Sequence, residues 1–180
     1  AELYWLIEDE MNAEIDAGNE CPHAVVVRDM LKELDKKYKT ISAEDWKISK
    51  IYEMGYTTDR EAIEISTGRP TIIDWKTTKY MTPDEYKLDK GKNAKLMKEP
   101  FKSIKLREVP LHKATIQLSV YAILLSLDPA YPHITPENLH TVKRLIVHIP
   151  QNIEKYPKGY AVYELENIDE IVMRALSEYI

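Results

Sequence analysis

Pro70-Thr71-Ile72-Ile73-Asp74-Trp75-Lys76-Thr77-Thr78 opens as an apolar β-branched run and closes on an acid and a base two residues apart. The run reads as a buried strand. Its period of two puts Asp74 and Lys76 on one face and turns Trp75 to the other. A carboxylate and an amine at the end of a buried strand cost desolvation energy unless they pair or bind something charged. Immediately upstream, Ser66-Thr67-Gly68-Arg69-Pro70 is turn chemistry. Tyr56 to Ile65 therefore reads as an antiparallel partner, reached from a further strand, Trp46 to Glu53, through a short connection at Gly55. The result is a three-strand meander with Asp59 on its middle strand.

Outside the meander the apolar spacing is helical. Leu3, Leu6, Ile7, Met11 and Ile15 predict a helix over residues 1–16, and Val26, Met30, Leu31 and Leu34 predict another from His23 to Tyr38. Ser42, with Asp45 three residues on, reads as a turn cap. Residues 79–111 have no strong period and contain three prolines, Pro83, Pro100 and Pro110. They read as a long functional or disordered loop with short helices near Pro83–Leu88 and Lys92–Met97. Lys113 to Leu127 is apolar on nearly every side, as a buried central helix should be, and Asp128-Pro129 ends it. Strands at Arg144–Ile149 and Tyr160–Leu165 follow, then a helix over Ile168–Ile180 with Ile171, Val172, Leu176 and Tyr179 on its buried stripe. This order predicts an α/β fold, a mixed central β-sheet flanked by helices, in a single domain over residues 1–180.

Bulk properties narrow the function. No apolar stretch approaches the ~18 residues of a membrane span, and the acidic N-terminus is unlike a signal peptide. The single cysteine, Cys21, excludes an internal disulfide and a Cys-only metal site, so an intracellular, cytoplasmic location is the expectation. The opening inside a helical pattern without an initiator Met suggests a piece of a longer protein, with additional domains or protein partners. The net charge of −5 argues against a general polyanion-binding surface. It conceals a basic segment: from Lys76 to Lys113 eleven Lys/Arg face five acids, a local +6. A basic stretch directly after an acidic site can track a phosphate backbone or be a solvated lysine-rich loop.

Asp59, Asp74 and Lys76 at strand ends suit Mg²⁺ or Mn²⁺, hard ions that take oxygen ligands and keep waters. Asp59 and Asp74 are the candidate metal ligands, with the backbone carbonyl of Trp75 directed at the same ion. Lys76 would hold or deprotonate an attacking water or stabilise charge on a phosphorane. Taken alone, an Asp-x-Lys tripeptide is common and more often a structural pair.

The surrounding residues point further. Gly55-x-x-x-Asp59, then Thr71-Ile72-Ile73-Asp74-Trp75-Lys76-Thr77, then Gln117-Leu118-Ser119-Val120-Tyr121 resemble the motifs of the PD-(D/E)xK nuclease superfamily, in its RecB-like and lambda-exonuclease-like branch and of phage type. The resemblance covers about residues 44–165. It implies a restriction-endonuclease-like αβββαβ core and a Mg²⁺- or Mn²⁺-dependent nuclease that hydrolyses DNA as an exonuclease or end-processing enzyme. It matches Asp59 and Asp74 to metal-binding acids, Lys76 to the catalytic lysine, and Gln117 and Tyr121 to a motif that braces the site and contacts nucleic acid. Lys79, Lys90, Lys92 and Lys95 are the basic-loop candidates for DNA contact. The spacing departs from the family at Gly55, four residues before Asp59 where three is usual. The family often adds an upstream His or Glu ligand, for which Glu10, Glu14, His23 and Glu44 are the candidates. A nuclease-fold module that has lost catalysis and binds nucleic acid or partner domains is the alternative.

Other features carry less. His148, inside an apolar strand, reads as a satisfied core residue. Tyr52, Tyr56, Tyr80 and Tyr86 could stack bases or simply pack. No Gly-rich phosphate loop is present, which excludes an NTP-driven motor in this chain.

Overall fold

The computed structural model describes residues 22–178; the expected helix over residues 1–16 and the position of Tyr179 lie outside them. The chain runs α1 (Pro22–Asp35), β1 (Tyr38–Ser49), β2 (Met54–Glu64), β3 (Pro70–Lys76), α2 (Pro83–Lys90), α3 (Pro110–Ser126), β4 (Lys143–His148), β5 (Ala161–Glu164) and α4 (Asp169–Ser177). The five strands form one sheet in the order β1-β2-β3-β4-β5. β3 and β4 are parallel, joined by the crossover through α3, and every other neighbouring pair is antiparallel. This is the expected α/β fold with a mixed sheet between helices.

The central strand separates two cores by simple alternation. Ile72 of β3 and Ile146 of β4 face Leu118, Ala122 and Leu125 of α3 and Val172 of α4. Ile73, Leu145 and Val147 face Met30, Leu31 and Leu34 of α1. α3 starts on Pro110, whose missing N–H is no loss in a first turn, and its small and apolar residues let it lie buried across the sheet. A buried Arg144–Asp169 pair at 2.6 Å ties α4 to β4. α2 is closed at both ends, by a capping box between Thr82 and Glu85 and by Gly91 in the left-handed region at φ 67°.

Several boundaries differ from expectation. α1 stops at Asp35 rather than Tyr38, because Tyr38 turns into the α1-side core and begins β1. β1 covers Tyr38–Ser49 rather than Trp46–Glu53. Ser42 and Asp45 therefore lie in a strand, with a bulge between Thr40 and Ser42, and cap no turn. The reversal occupies residues 50–53, with Glu53 at φ 49°, while Gly55 lies inside β2 opposite Ile48. Gly55 is there for close approach: a Cβ would stand 3.3 Å from the Trp46 ring. Lys92–Met97 is not helical; it forms an isolated bridge, Leu96 to Arg107, within the long loop.

Candidate active site

β2 and β3 pair from Ile63↔Pro70 to Arg60↔Ile73, and the ladder ends there. β1 and β2 continue together for five further pairs, from Asp45↔Thr58 to Ser49↔Met54. Asp59 sits where β3 leaves the hairpin, level with Asp74. In place of a ladder bond, its Oδ2 accepts the backbone N–H of Trp75 at 2.9 Å. The strands part, and a carboxylate fills the gap.

Asp74 is in phase with Ile72 and so faces α3. It is 2 % exposed. Lys76 Nζ stands 2.6 Å from Asp74 Oδ2 and forms an ion pair with this solvent-shielded oxygen. The Asp74 carboxyl is pushed up to about 6. Burial is the main cause, and the nearby Asp59 carboxylate adds to it, outweighing the opposing effect of Lys76.

α3 supplies the other wall. Lys76 Nζ donates to Gln117 Oε1 at 3.4 Å, and Gln117 Nε2 donates to the Tyr121 hydroxyl at 2.8 Å. Gln117 and Tyr121 are one helical turn apart, so both reach the same place. The Tyr121 hydroxyl fixes the amide so that its oxygen is the end presented to the ammonium. The Tyr121 ring stacks on Tyr56 of β2 with centroids 5.5 Å apart, which couples α3 back to the hairpin that carries Asp59. Asp59, Asp74, Lys76, Gln117 and Tyr121, expected together from sequence, are therefore one contiguous polar chain. Trp75 belongs to it through its backbone, while its ring packs on the α1 side.

The remaining expected residues are placed elsewhere. Lys79 pairs with Asp89, and Lys90 pairs with the same carboxylate at 3.0 Å. Lys92 and Lys95 are exposed on the loop, and among the described residues no contact links them to the carboxylates. Of the upstream ligand candidates, Glu10 and Glu14 lie outside the described residues. His23 is exposed on the first turn of α1, its Nε2 against the Gln151 carbonyl at 3.1 Å. Glu44 is exposed in β1 at φ 49°. Neither completes a cluster: among the described residues no three His, Cys, Asp or Glu side chains gather as metal ligands. Asp59 and Asp74 nonetheless fit a hard cation, since both are oxygen donors and the charge of Asp59 is close enough to raise the buried Asp74 carboxyl.

His148 is the satisfied core residue that its strand context predicts. Its ring is fully buried, with Nδ1 2.8 Å from the Tyr156 hydroxyl and Nε2 2.6 Å from the Thr78 carbonyl. Burial holds it below the usual histidine range against the opposing pull of that carbonyl. Being opposite Lys76 in the parallel register, it anchors the chain just past the site.

No protein-family model and no curated protein matches this chain. Among the described residues no helix is long and apolar enough to cross a membrane.

Two features of the site were not legible in the motifs. The Asp59–Trp75 bond depends on where two strands stop pairing, which spacing does not encode. The Tyr56–Tyr121 stack joins residues far apart in sequence; Tyr56 was visible only as one of several tyrosines near the site.

Proposed function

We propose that the protein is a divalent-metal-dependent nuclease that hydrolyses phosphodiester bonds of DNA, as an exonuclease or end-processing enzyme. The observation that carries this reading is the nearness of Asp59 to the buried Asp74, whose carboxyl it raises, with the Lys76 ammonium 2.6 Å from Asp74 Oδ2 and Gln117 behind it. Two neighbouring carboxylates, one of them buried and one half-buried, repel, and a cation between them removes the repulsion.

Asp59 and Asp74 would hold Mg²⁺ or Mn²⁺. When bound, that ion polarises the phosphate and lowers the pKa of a bound water. Lys76, held between Asp74 and Gln117, places one positive charge where negative charge grows on the attacked phosphate. Gln117 limits the swing of the long lysine side chain, and Tyr121 limits the swing of Gln117. The polar chain thus restricts Lys76 before substrate arrives. The exposed lysines of the 79–95 loop are the proposed contacts for the DNA backbone, by charge rather than by base reading.

The test is degradation of linear DNA by purified protein with Mg²⁺ or Mn²⁺, compared with Asp74→Ala and Lys76→Ala. Cleavage by wild type that vanishes in both variants is the expected result, and cleavage that survives both refutes the assignment. One observation favours a second reading, a nuclease-fold module without catalysis: no third ligating side chain joins the two carboxylates among the described residues. DNA affinity without cleavage and without heat of Mn²⁺ binding would select it.

A further inference from the structure

Lys47 is an ammonium with 4 % exposure in the middle of a hairpin strand. Lysine is almost never buried unless paired, because its charge loses the solvation of water. It lies opposite Tyr56 on the α3 side of β1. There its Nζ is 2.7 Å from Glu61 Oε1, 3.2 Å from Asp45 Oδ2 and 3.1 Å from Thr58 Oγ1, under the face of the Tyr131 ring at 4.6 Å. Thr58 in turn donates to Glu61 at 2.6 Å, and the Tyr131 hydroxyl donates to Asp45 at 2.5 Å.

This cluster sits at the residue before Asp59. In a regular strand Thr58 and Arg60 would share a face and Glu61 would point away. Here Thr58 and Glu61 meet on the α3 side, while Arg60 crosses to the other face and pairs with Asp35 of α1 at 2.5 Å. The strand turns over at Asp59. On β1, Glu44 accommodates the same twist at φ 49°, between the pairs Ala43↔Arg60 and Asp45↔Thr58. Asp59 is therefore held from both sides in an orientation that a regular strand would not give it.

We propose that Lys47, acting through Thr58 and Glu61, is a positioning residue that aims the Asp59 carboxylate at the Trp75 N–H and at Asp74. The catalytic consequence rests on the nuclease reading above; the geometry does not. Lys47→Met alone leaves Glu61 and Asp45 facing a lost cation, so the variants are Thr58→Val, which keeps shape and removes the hydroxyl, and Lys47→Met with Glu61→Gln. The first readout is amide hydrogen exchange at Trp75, followed by NMR on the metal-free, folded protein. Exchange is expected to quicken about tenfold in Thr58→Val, as the loss of one hydrogen bond would produce, and to return to the wild-type rate in Thr58→Ser. Mn²⁺ affinity by calorimetry should fall about tenfold in Thr58→Val and in the double variant, with kcat lowered and KM for DNA unchanged. Unchanged Trp75 exchange in folded Thr58→Val overturns the proposal. Faster exchange with undiminished Mn²⁺ affinity and kcat overturns its catalytic part. Wild type that neither binds Mn²⁺ nor cleaves DNA, with the exchange result as expected, refutes the nuclease reading and supports the positioning of Asp59.

Discussion

The β3–β4 centre and the outer half of the β1–β2 hairpin belong to one sheet but follow opposite rules. In the centre, Ile72, Ile73, Leu145, Ile146 and Val147 are all sealed between helices. In the hairpin, Trp46 is 64 % and Ile48 52 % exposed while Lys47 between them is buried. The period-two pattern is identical in kind; what differs is the layer above it. α1 packs on the inner part of the sheet, and the α3 side of the hairpin is lined by Tyr131 and the Lys47 charge cluster. The sealed centre supplies Asp74 and Lys76, and the projecting hairpin supplies Asp59. A site built across that boundary combines one rigid carboxylate with one whose aim depends on local polar contacts.

The largest expected effect tests function at the sealed side. Asp74→Ala should cut DNA cleavage by about a thousandfold or more, roughly 4 kcal/mol of transition-state stabilisation, in a gel or fluorescence assay with Mg²⁺. Its urea midpoint should not fall at neutral pH, because the deleted group is a buried carboxylate held above its ordinary range. A variant that unfolds instead would make Asp74 a structural residue.

The next test contrasts packing directly. Ile146→Ala in the centre should cost about 3 kcal/mol by urea unfolding, whereas Trp46→Ala in the hairpin should lie within about 0.5 kcal/mol of wild type. Equal losses would break the comparison, since they would require Trp46 to be packed in solution.

A smaller effect comes from pH. Asp74 in the folded, metal-free protein titrates near 6, above the ordinary value of 3.8. A raised carboxyl favours the protonated folded state, so its stabilising contribution is complete below about pH 4 and is lost as pH rises through about 6. Asp74→Asn should remove that loss, gaining about 3 kcal/mol at pH 8 and nothing at pH 3. Added Mn²⁺ should stabilise wild type but not the variant, and a pH-independent difference between the two would contradict the shift. The smallest change is expected at the loop: Lys92→Gln with Lys95→Gln should weaken DNA binding several-fold and flatten its salt dependence, with kcat unaltered. An unchanged salt slope would remove these lysines from the DNA surface.

Residue types and order by themselves determined the three-strand meander, the buried helix α3, the mixed sheet, and the shared strand face of Asp74 and Lys76. Gln117 and Tyr121 joined the carboxylates through the resemblance of their motif, whereas the other features are consequences of periodicity and of helical or strand spacing, which are local properties of a chain. They also foretold that His148 would be an interior residue. Boundaries were legible only coarsely: β1 begins eight residues before Trp46 because the Tyr38 ring is drawn into the α1-side core. Only the tertiary structure decided which face of the hairpin is covered, and hence why Lys47 is inside while Trp46 is outside. It alone decided where β2 and β3 part, and so that the Asp59 carboxylate, rather than a backbone carbonyl, takes the Trp75 N–H. Burial and the end of a ladder depend on what packs against a strand from distant parts of the chain, and no spacing within the strand records that.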